Sequence, residues 1–232
     1  MEQEEKLKTA VIAMASDVKV QTVGGAEKTT KSLTDMENVR GIIKDWNAMS
    51  KKAANLTVEQ YGPPNEATES RLIWYNNGPW KRTIVYRDEI PHDFPQPHTD
   101  CIENYINYSV PPEMFSELAK FDGSVIVERT RGEVSSRCDM EAANILALNL
   151  MNDIVEGKLN AEKARDVYCE VTSAFMMNRS APYAEKLQFA VPTEEKYDTD
   201  KVMIADEMVE QAREKINDMV DPDNNNQGAN YH

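Results

Sequence analysis

The chain has 232 residues, of which 41% are hydrophobic and 28% are charged, a composition typical of a globular protein long enough to bury a core. Its formal net charge of −14 and isoelectric point near 4.7 count against nucleic acid and anionic membrane surfaces as partners, because both would be repelled. The three cysteines, none at CxxC spacing, count against a disulfide framework or a zinc knuckle, and the composition indicates no cofactor.

The sequence predicts three segments. We expect residues 1–33 to form a mobile N-terminal arm, 34–220 a single α+β domain, and 221–232 a disordered acidic and polar tail. The arm contains "KLKTAVIAMASD", which imitates a signal peptide, but the preceding "MEQEE" is acidic where a signal peptide is basic. We therefore favour a solvated arm with a short helix near Leu7–Ala15. The compartment stays open between the cytoplasm and, if a leader has been removed or replaced, the periplasm or exterior. No apolar run approaches the length needed for membrane insertion.

Two patterns define the start of the predicted domain. A capping-box pattern at Thr34 precedes apolar residues with helical spacing, which predicts an amphipathic helix over about Asp35–Ala54. The segment "RLIWYNNGPWKRTIVYRD" alternates apolar and polar residues around an Asn-Gly turn and predicts a β-hairpin over 70–87. The predicted fold is therefore α+β, with a small antiparallel sheet built around this hairpin and packed by several α-helices.

The second half of the chain is predicted to be mostly helical, from its apolar spacing and its capping and turn residues. In chain order we predict a short helix after Thr99, a helix from Pro111 to about Asp122, a strand in "SVIVERT", a buried helix capped by Asp139 that runs to about Glu156, a helix capped by Asn160, and an amphipathic helix over about 199–219.

The stretch "PHDFPQPHTDC", residues 91–101, contains a candidate metal site formed by His92, Asp93, His98 and Asp100. Imidazole and carboxylate groups are ligands of zinc and iron. However, three prolines favour an extended backbone, and six extended residues would separate the two imidazoles by roughly 20 Å. We therefore favour a rigid loop over a metal site and expect no stoichiometric zinc, iron or manganese.

A second candidate site, for a small anion, lies in "ERTRGEVSSRCDMEAAN" and consists of Arg129, Arg131, Ser135, Ser136 and Arg137. A loop between a strand and a helix start offers free backbone N–H groups and arginines, which bind anions. Four nearby acidic residues nearly cancel this positive charge, so we favour ion pairing within the chain. A nucleophilic Cys138 is a further alternative, although the sequence places neither histidine beside it.

The predicted hairpin concentrates aromatic residues, and Trp74, Trp80 and Tyr86 form a candidate surface for stacking of bases or sugars. Core packing on one face of the hairpin, with cation–π pairs on the other, is the interpretation that we favour.

The sequence supports two hypotheses for function. The first is a non-enzymatic binding or structural module that recognises a protein or a small anionic ligand. The alternative is a metal-dependent or hydrolase-like enzyme that uses the 91–101 and 128–139 loops. We favour the first, because no known catalytic motif is present.

Overall fold

The computed structural model describes residues 3–23, 27–193 and 200–204, together with positions 207, 210, 211 and 214. Within them lie seven α-helices and a six-stranded antiparallel sheet, which confirms the α+β fold. The chain divides into two compact units, Thr29–Asp198 and Met1–Lys28 with Thr199–His232. Most of the helix predicted over 199–219, and all of the tail predicted over 221–232, lie outside the described residues.

The helix of the N-terminal segment, α1, spans Gln3–Val23 and is longer than the short helix that we predict near Leu7–Ala15. Lys8 and Glu4 form an ion pair of 2.5 Å on its exposed surface. Among the described residues, no helix has the length and apolar content needed to cross a bilayer.

Two helices, α2 (Met36–Ile43) and α3 (Ala48–Tyr61), replace the single helix predicted over Asp35–Ala54. The chain leaves the helical path before Trp46, whose ring is buried and whose indole nitrogen donates to the backbone carbonyl of Glu69. The buried, hydrogen-bonded ring of Trp46 therefore fixes the position at which the chain leaves α2 before it begins α3.

Asp35 caps α2, since its carboxylate accepts hydrogen bonds from the backbone N–H groups of Glu37 and Asn38 at 2.9 and 3.2 Å. Asp35→Ala should lower the free energy of unfolding by about 1 kcal/mol, because two N–H groups of the first turn lose their acceptor. Urea denaturation followed by circular dichroism measures the change, and Asp45→Ala, which removes another acidic side chain near α2, is the control. An equal loss in both variants would contradict a capping role.

The sheet is built from β1 (Glu66–Thr68), β2 (Arg71–Tyr75), β3 (Arg82–His92), β4 (His98–Asn107), β5 (Val125–Glu128) and β6 (Glu133–Cys138), in the order β1-β2-β3-β4-β6-β5. The predicted hairpin over 70–87 is present, because β2 and β3 pair in antiparallel register. Asn76 and Gly78 in its turn have φ angles of 51° and 61°, which Asn and Gly tolerate better than other residues.

The prediction of a helix after Thr99 is wrong, because these residues form the central strand β4. Ile102 and Ile106 pack in the cores beneath the helices. Tyr105, between them, packs under the guanidinium of Arg82 on the opposite face of the sheet. Ile102 and Ile106 are four residues apart, and side chains at this separation share a face in a strand as well as in a helix. Their spacing therefore does not distinguish the two structures.

Four helices follow β4: α4 (Phe115–Phe121), α5 (Glu141–Val155), α6 (Ala161–Met176) and α7 (Pro182–Glu185). Asn160 caps α6 as predicted. The predicted cap of α5 is wrong, because Met140 occupies the N-cap position and no side chain caps this helix. Inside α5, Asn144 donates to the backbone of Ile102 and to the side chain of Asn104 at 3.1 and 2.7 Å, which fixes the start of α5 against β4.

Candidate metal centre

The residues that were predicted to form an extended loop fold back as the end of the β3–β4 hairpin. His92 lies directly opposite His98 in the ladder, and Ile90 lies opposite Asp100. The two imidazole rings are 4.9 Å apart between centroids, so the predicted separation is wrong. Pro95 and Pro97 lie where the hairpin reverses, at 93–97, whereas Pro91 lies within β3 opposite Thr99.

Three donor atoms converge at this point: Nδ1 of His92, Nε2 of His98 and Oδ1 of Asp100. The imidazole nitrogens lie 3.5 and 3.2 Å from the carboxylate oxygen, and the group as a whole fits within 4.8 Å. Two ligand atoms at about 2.1 Å from one metal ion are separated by roughly 3.0 Å at a right angle and by roughly 3.4 Å at the tetrahedral angle. The two observed nitrogen–oxygen distances are close to this range, so the three groups could hold one ion.

The far side of each group has its own partner. Nδ1 of His98 lies 2.8 Å from the carbonyl oxygen of Gln96, and Nε2 of His92 lies 3.8 Å from a carboxylate oxygen of Asp122. The Ser124 hydroxyl donates to Oδ2 of Asp100 at 2.5 Å. Metal-binding histidines characteristically donate their second N–H to a carbonyl or carboxylate, which orients the ring.

Asp100 carries the most informative feature of the group. Its side chain is 2% exposed, and its Oδ1 lies 3.2 Å from Nε2 of His98 and 3.5 Å from Nδ1 of His92 without a well-aligned hydrogen bond to either. A buried carboxylate oxygen normally has a hydrogen-bond donor, because burial removes water from a charged atom at a large cost in free energy. Oδ1 is thus directed at the space between the two histidines.

The electrostatics favour charged forms of two groups. The ion pair with Asp100, and then the contact with Cys138, raise the pKa of His98 to about 11. Burial acts to raise the pKa of Asp100, but His98 and Ser124 outweigh it, so this pKa is lowered. Burial raises the pKa of Asp122, the carboxyl that faces His92. Without metal, the site holds an imidazolium–carboxylate pair whose proton a metal ion would displace.

A cavity of about 340 Å³ adjoins the centre and is lined by residues of the hairpin, α5 and α6. At the end nearest the centre it reaches His98 and Cys138, whose Sγ lies 3.3 Å from Nε2 of His98. No sequence pattern predicts that this thiol lies beside a histidine. Burial raises the pKa of Cys138, which counts against a nucleophilic thiolate.

The fourth residue of the predicted metal site, Asp93, is exposed and does not belong to the converging group. Asp122 and Ser124, which orient the centre, were missed. They follow α4 and are far from the hairpin in sequence, so only the tertiary fold could reveal them.

Of the five residues of the predicted anion site, Arg129 and Arg131 lie in the turn between β5 and β6, whereas Ser135, Ser136 and Arg137 belong to β6 and not to a loop. Successive side chains of a strand point to opposite faces, so the two serines cannot bind one anion. The Ser135 hydroxyl donates to Glu103 at 2.6 Å, and Arg131 lies 3.5 Å from Glu133. Anion binding by the three arginines, including Arg129, stays a prediction.

The predicted aromatic surface is not available for stacking at two of its three residues. Trp74 and Trp80 are each 2% exposed and belong to the two hydrophobic cores. Tyr86 is half-buried, and its hydroxyl donates to Glu103 at 2.7 Å. Core packing, the interpretation favoured from the sequence, accounts for both tryptophans.

Comparisons with protein families, with curated proteins and with solved structures found no significant match to this chain.

Proposed function

We propose that the protein binds a divalent first-row transition metal, zinc or iron, through His92, His98 and Asp100, and that it is a metal-dependent enzyme. The observation that carries this proposal is the convergence of three donor atoms, with the buried Oδ1 of Asp100 at 3.2 and 3.5 Å from the nitrogens of two imidazoles. A bound cation would replace the proton of His98 as the partner of this oxygen.

The number of ligands supports catalysis over a structural role. Structural zinc sites normally have four protein ligands, whereas catalytic zinc sites have three and keep a position for water or substrate. Two histidines and one carboxylate are also the ligands of non-haem iron oxygenases. A metal held by these residues would supply an activated oxygen ligand or a Lewis acid, and the adjoining cavity would give room for a substrate.

The chain's own residues have separate roles in this proposal. His92, His98 and Asp100 hold the ion, while Asp122, Ser124 and the carbonyl of Gln96 orient those three ligands. Asp139 lines the cavity next to Cys138 and is the carboxylate nearest to a substrate there, where it is placed to accept a proton.

The proposal reverses the order of the two hypotheses made from the sequence. The enzyme hypothesis accounts both for the converging donors and for the cavity beside them, whereas a binding module accounts only for the cavity. Of the two loops in that hypothesis, 91–101 provides the ligands, and only the end of 128–139 reaches the cavity.

Metal analysis of the purified protein, followed by titration of the metal-free protein with Zn²⁺ and, without oxygen, with Fe²⁺, tests the proposal. We expect one ion per chain and a loss of at least about 100-fold in affinity in His98→Ala, because loss of one of three ligands exceeds the 10–100-fold effect of losing an orienting partner.

Asp93→Ala is the matched control, since Asp93 lies in the same hairpin but outside the donor group. It should leave the affinity unchanged. Failure of wild-type protein to bind either ion, or equal affinities in wild type and His98→Ala, would contradict the proposal.

A further inference from the structure

The walls of the cavity beside the proposed metal centre are mainly apolar. Ala143 and Leu146 of α5 line it from one side, and Phe175 and Met176 of α6 line it from another. Both α6 residues are exposed at 39% and 66%, so the opening of the cavity presents apolar side chains as well. Apolar surface at the entrance and along the walls is typical of a site for a small, largely apolar ligand.

The size of the cavity limits the ligand. Its volume of about 340 Å³ lies at the lower end of the roughly 300–1,000 Å³ that is typical of ligand pockets. A small molecule, such as one aromatic ring with a short chain, is of suitable size.

Charge limits the ligand further. Among the described residues that line the cavity, none is Lys or Arg, whereas Asp139 contributes a carboxylate. A divalent ion at the centre would already have three acidic side chains nearby: Asp100, Asp139 of the cavity lining, and Asp122, which lies 3.8 Å from His92. A carboxylate or phosphate on the ligand would therefore add an excess negative charge in a partly buried, largely apolar space.

The geometry points to a neutral, mostly apolar small molecule as the substrate class, with a single oxygen group at the end that meets His98 and Cys138. This inference rests on the proposed function in one respect, because the metal is expected to bind the ligand's oxygen. The shape of the cavity and the absence of Lys and Arg from its described lining residues are independent of the metal.

A matched pair of probes, phenylbutanol and phenylbutyrate, separates a neutral from an anionic oxygen on the same apolar body. Titration of the zinc-loaded protein, followed by ligand-observed NMR, should give an affinity for phenylbutanol at least ten-fold higher than for phenylbutyrate. Removal of the metal by a chelator should weaken phenylbutanol binding.

Two variants locate the binding. Ala143→Leu places a larger side chain into the cavity and should weaken phenylbutanol binding at least ten-fold, while Ala13→Leu, at an exposed position of α1, should not. Asp139→Asn keeps the shape of the side chain and should reduce the preference for phenylbutanol over phenylbutyrate. This third variant remains informative if Ala143→Leu fails to fold.

The outcomes distinguish the two proposals. Metal binding with no preference for phenylbutanol, or with no effect of Ala143→Leu and Asp139→Asn, would overturn the ligand class and leave the metal centre intact. Preferential phenylbutanol binding that depends on Ala143, in a protein that binds no metal, would support the ligand class and overturn the proposed function.

Discussion

Trp74→Ala should lower the free energy of unfolding by about 3–5 kcal/mol, because it removes one of the two tryptophans of the core between β2 and the helices α2 and α3. The indole is 2% exposed, and its Nε1 donates to the carbonyl of Gly62 at 2.9 Å. The substitution thus creates a cavity and also removes a hydrogen-bond donor from a partly buried carbonyl. Chemical denaturation followed by circular dichroism measures the loss.

The control for Trp74→Ala is Leu56→Ala on α3, where the side chain is 48% exposed. This substitution should change stability by less than about 0.5 kcal/mol, as surface substitutions usually do. A loss below about 1 kcal/mol for Trp74→Ala would show that this tryptophan does not fill the core.

Glu133→Ala should also lower stability by about 3–5 kcal/mol, because it breaks a buried ion cluster. The carboxylate is 1% exposed and lies 2.6 Å from both the Lys81 ammonium and the Arg82 guanidinium, which are themselves 9% and 8% exposed. Without Glu133, two cations lose their nearest counter-charge in a site largely closed to water. The control is Glu128→Ala, which removes the exposed residue opposite Glu133 in the β5–β6 ladder.

The same ion cluster should make the stability of the folded protein fall at acidic pH. Burial acts to raise the pKa of Glu133, but Arg82 and Lys81 outweigh it and lower this pKa below its usual 4.5. The ionised form is therefore favoured in the folded state, and its stabilisation is present above about pH 4.5 and lost as the pH falls through the lowered value. Glu133→Gln should remove this part of the acid sensitivity. Identical acid unfolding profiles for wild type and Glu133→Gln would contradict the assignment.

Elements with strong local signals could be predicted from the sequence. The hairpin of β2 and β3 has alternating residues and a turn that requires Asn and Gly, and α6 begins at a residue that caps it. β4 and β6 could not be predicted in this way. β6 contains two serines and an arginine, which indicate a loop, but it lies between β4 and β5 and all its ladder positions are paired. Its identity as a strand depends on those neighbours.

The candidate metal site was predicted only in part, because its geometry also depends on how strands pair. The sequence identified the imidazoles and carboxylates of 91–101 as proper ligands, and three of the four residues converge. The distance between the histidines was wrong because it depends on the pairing of β3 with β4, which places residues six positions apart directly opposite each other. Proline content describes the local backbone and does not determine where the chain reverses.

The strand order described above has a consequence for self-association. The two edge strands, β1 and β5, are the shortest of the sheet, with three and four residues. Each edge carries an exposed glutamate, Glu66 on β1 and Glu128 on β5. At a long, uncharged edge another chain can add a strand, which is a route to fibrils. Short edges that carry a charge disfavour this addition. The sheet is thus protected against growth by strand addition at both ends, and its longest strands, β3 and β4, are enclosed at the centre.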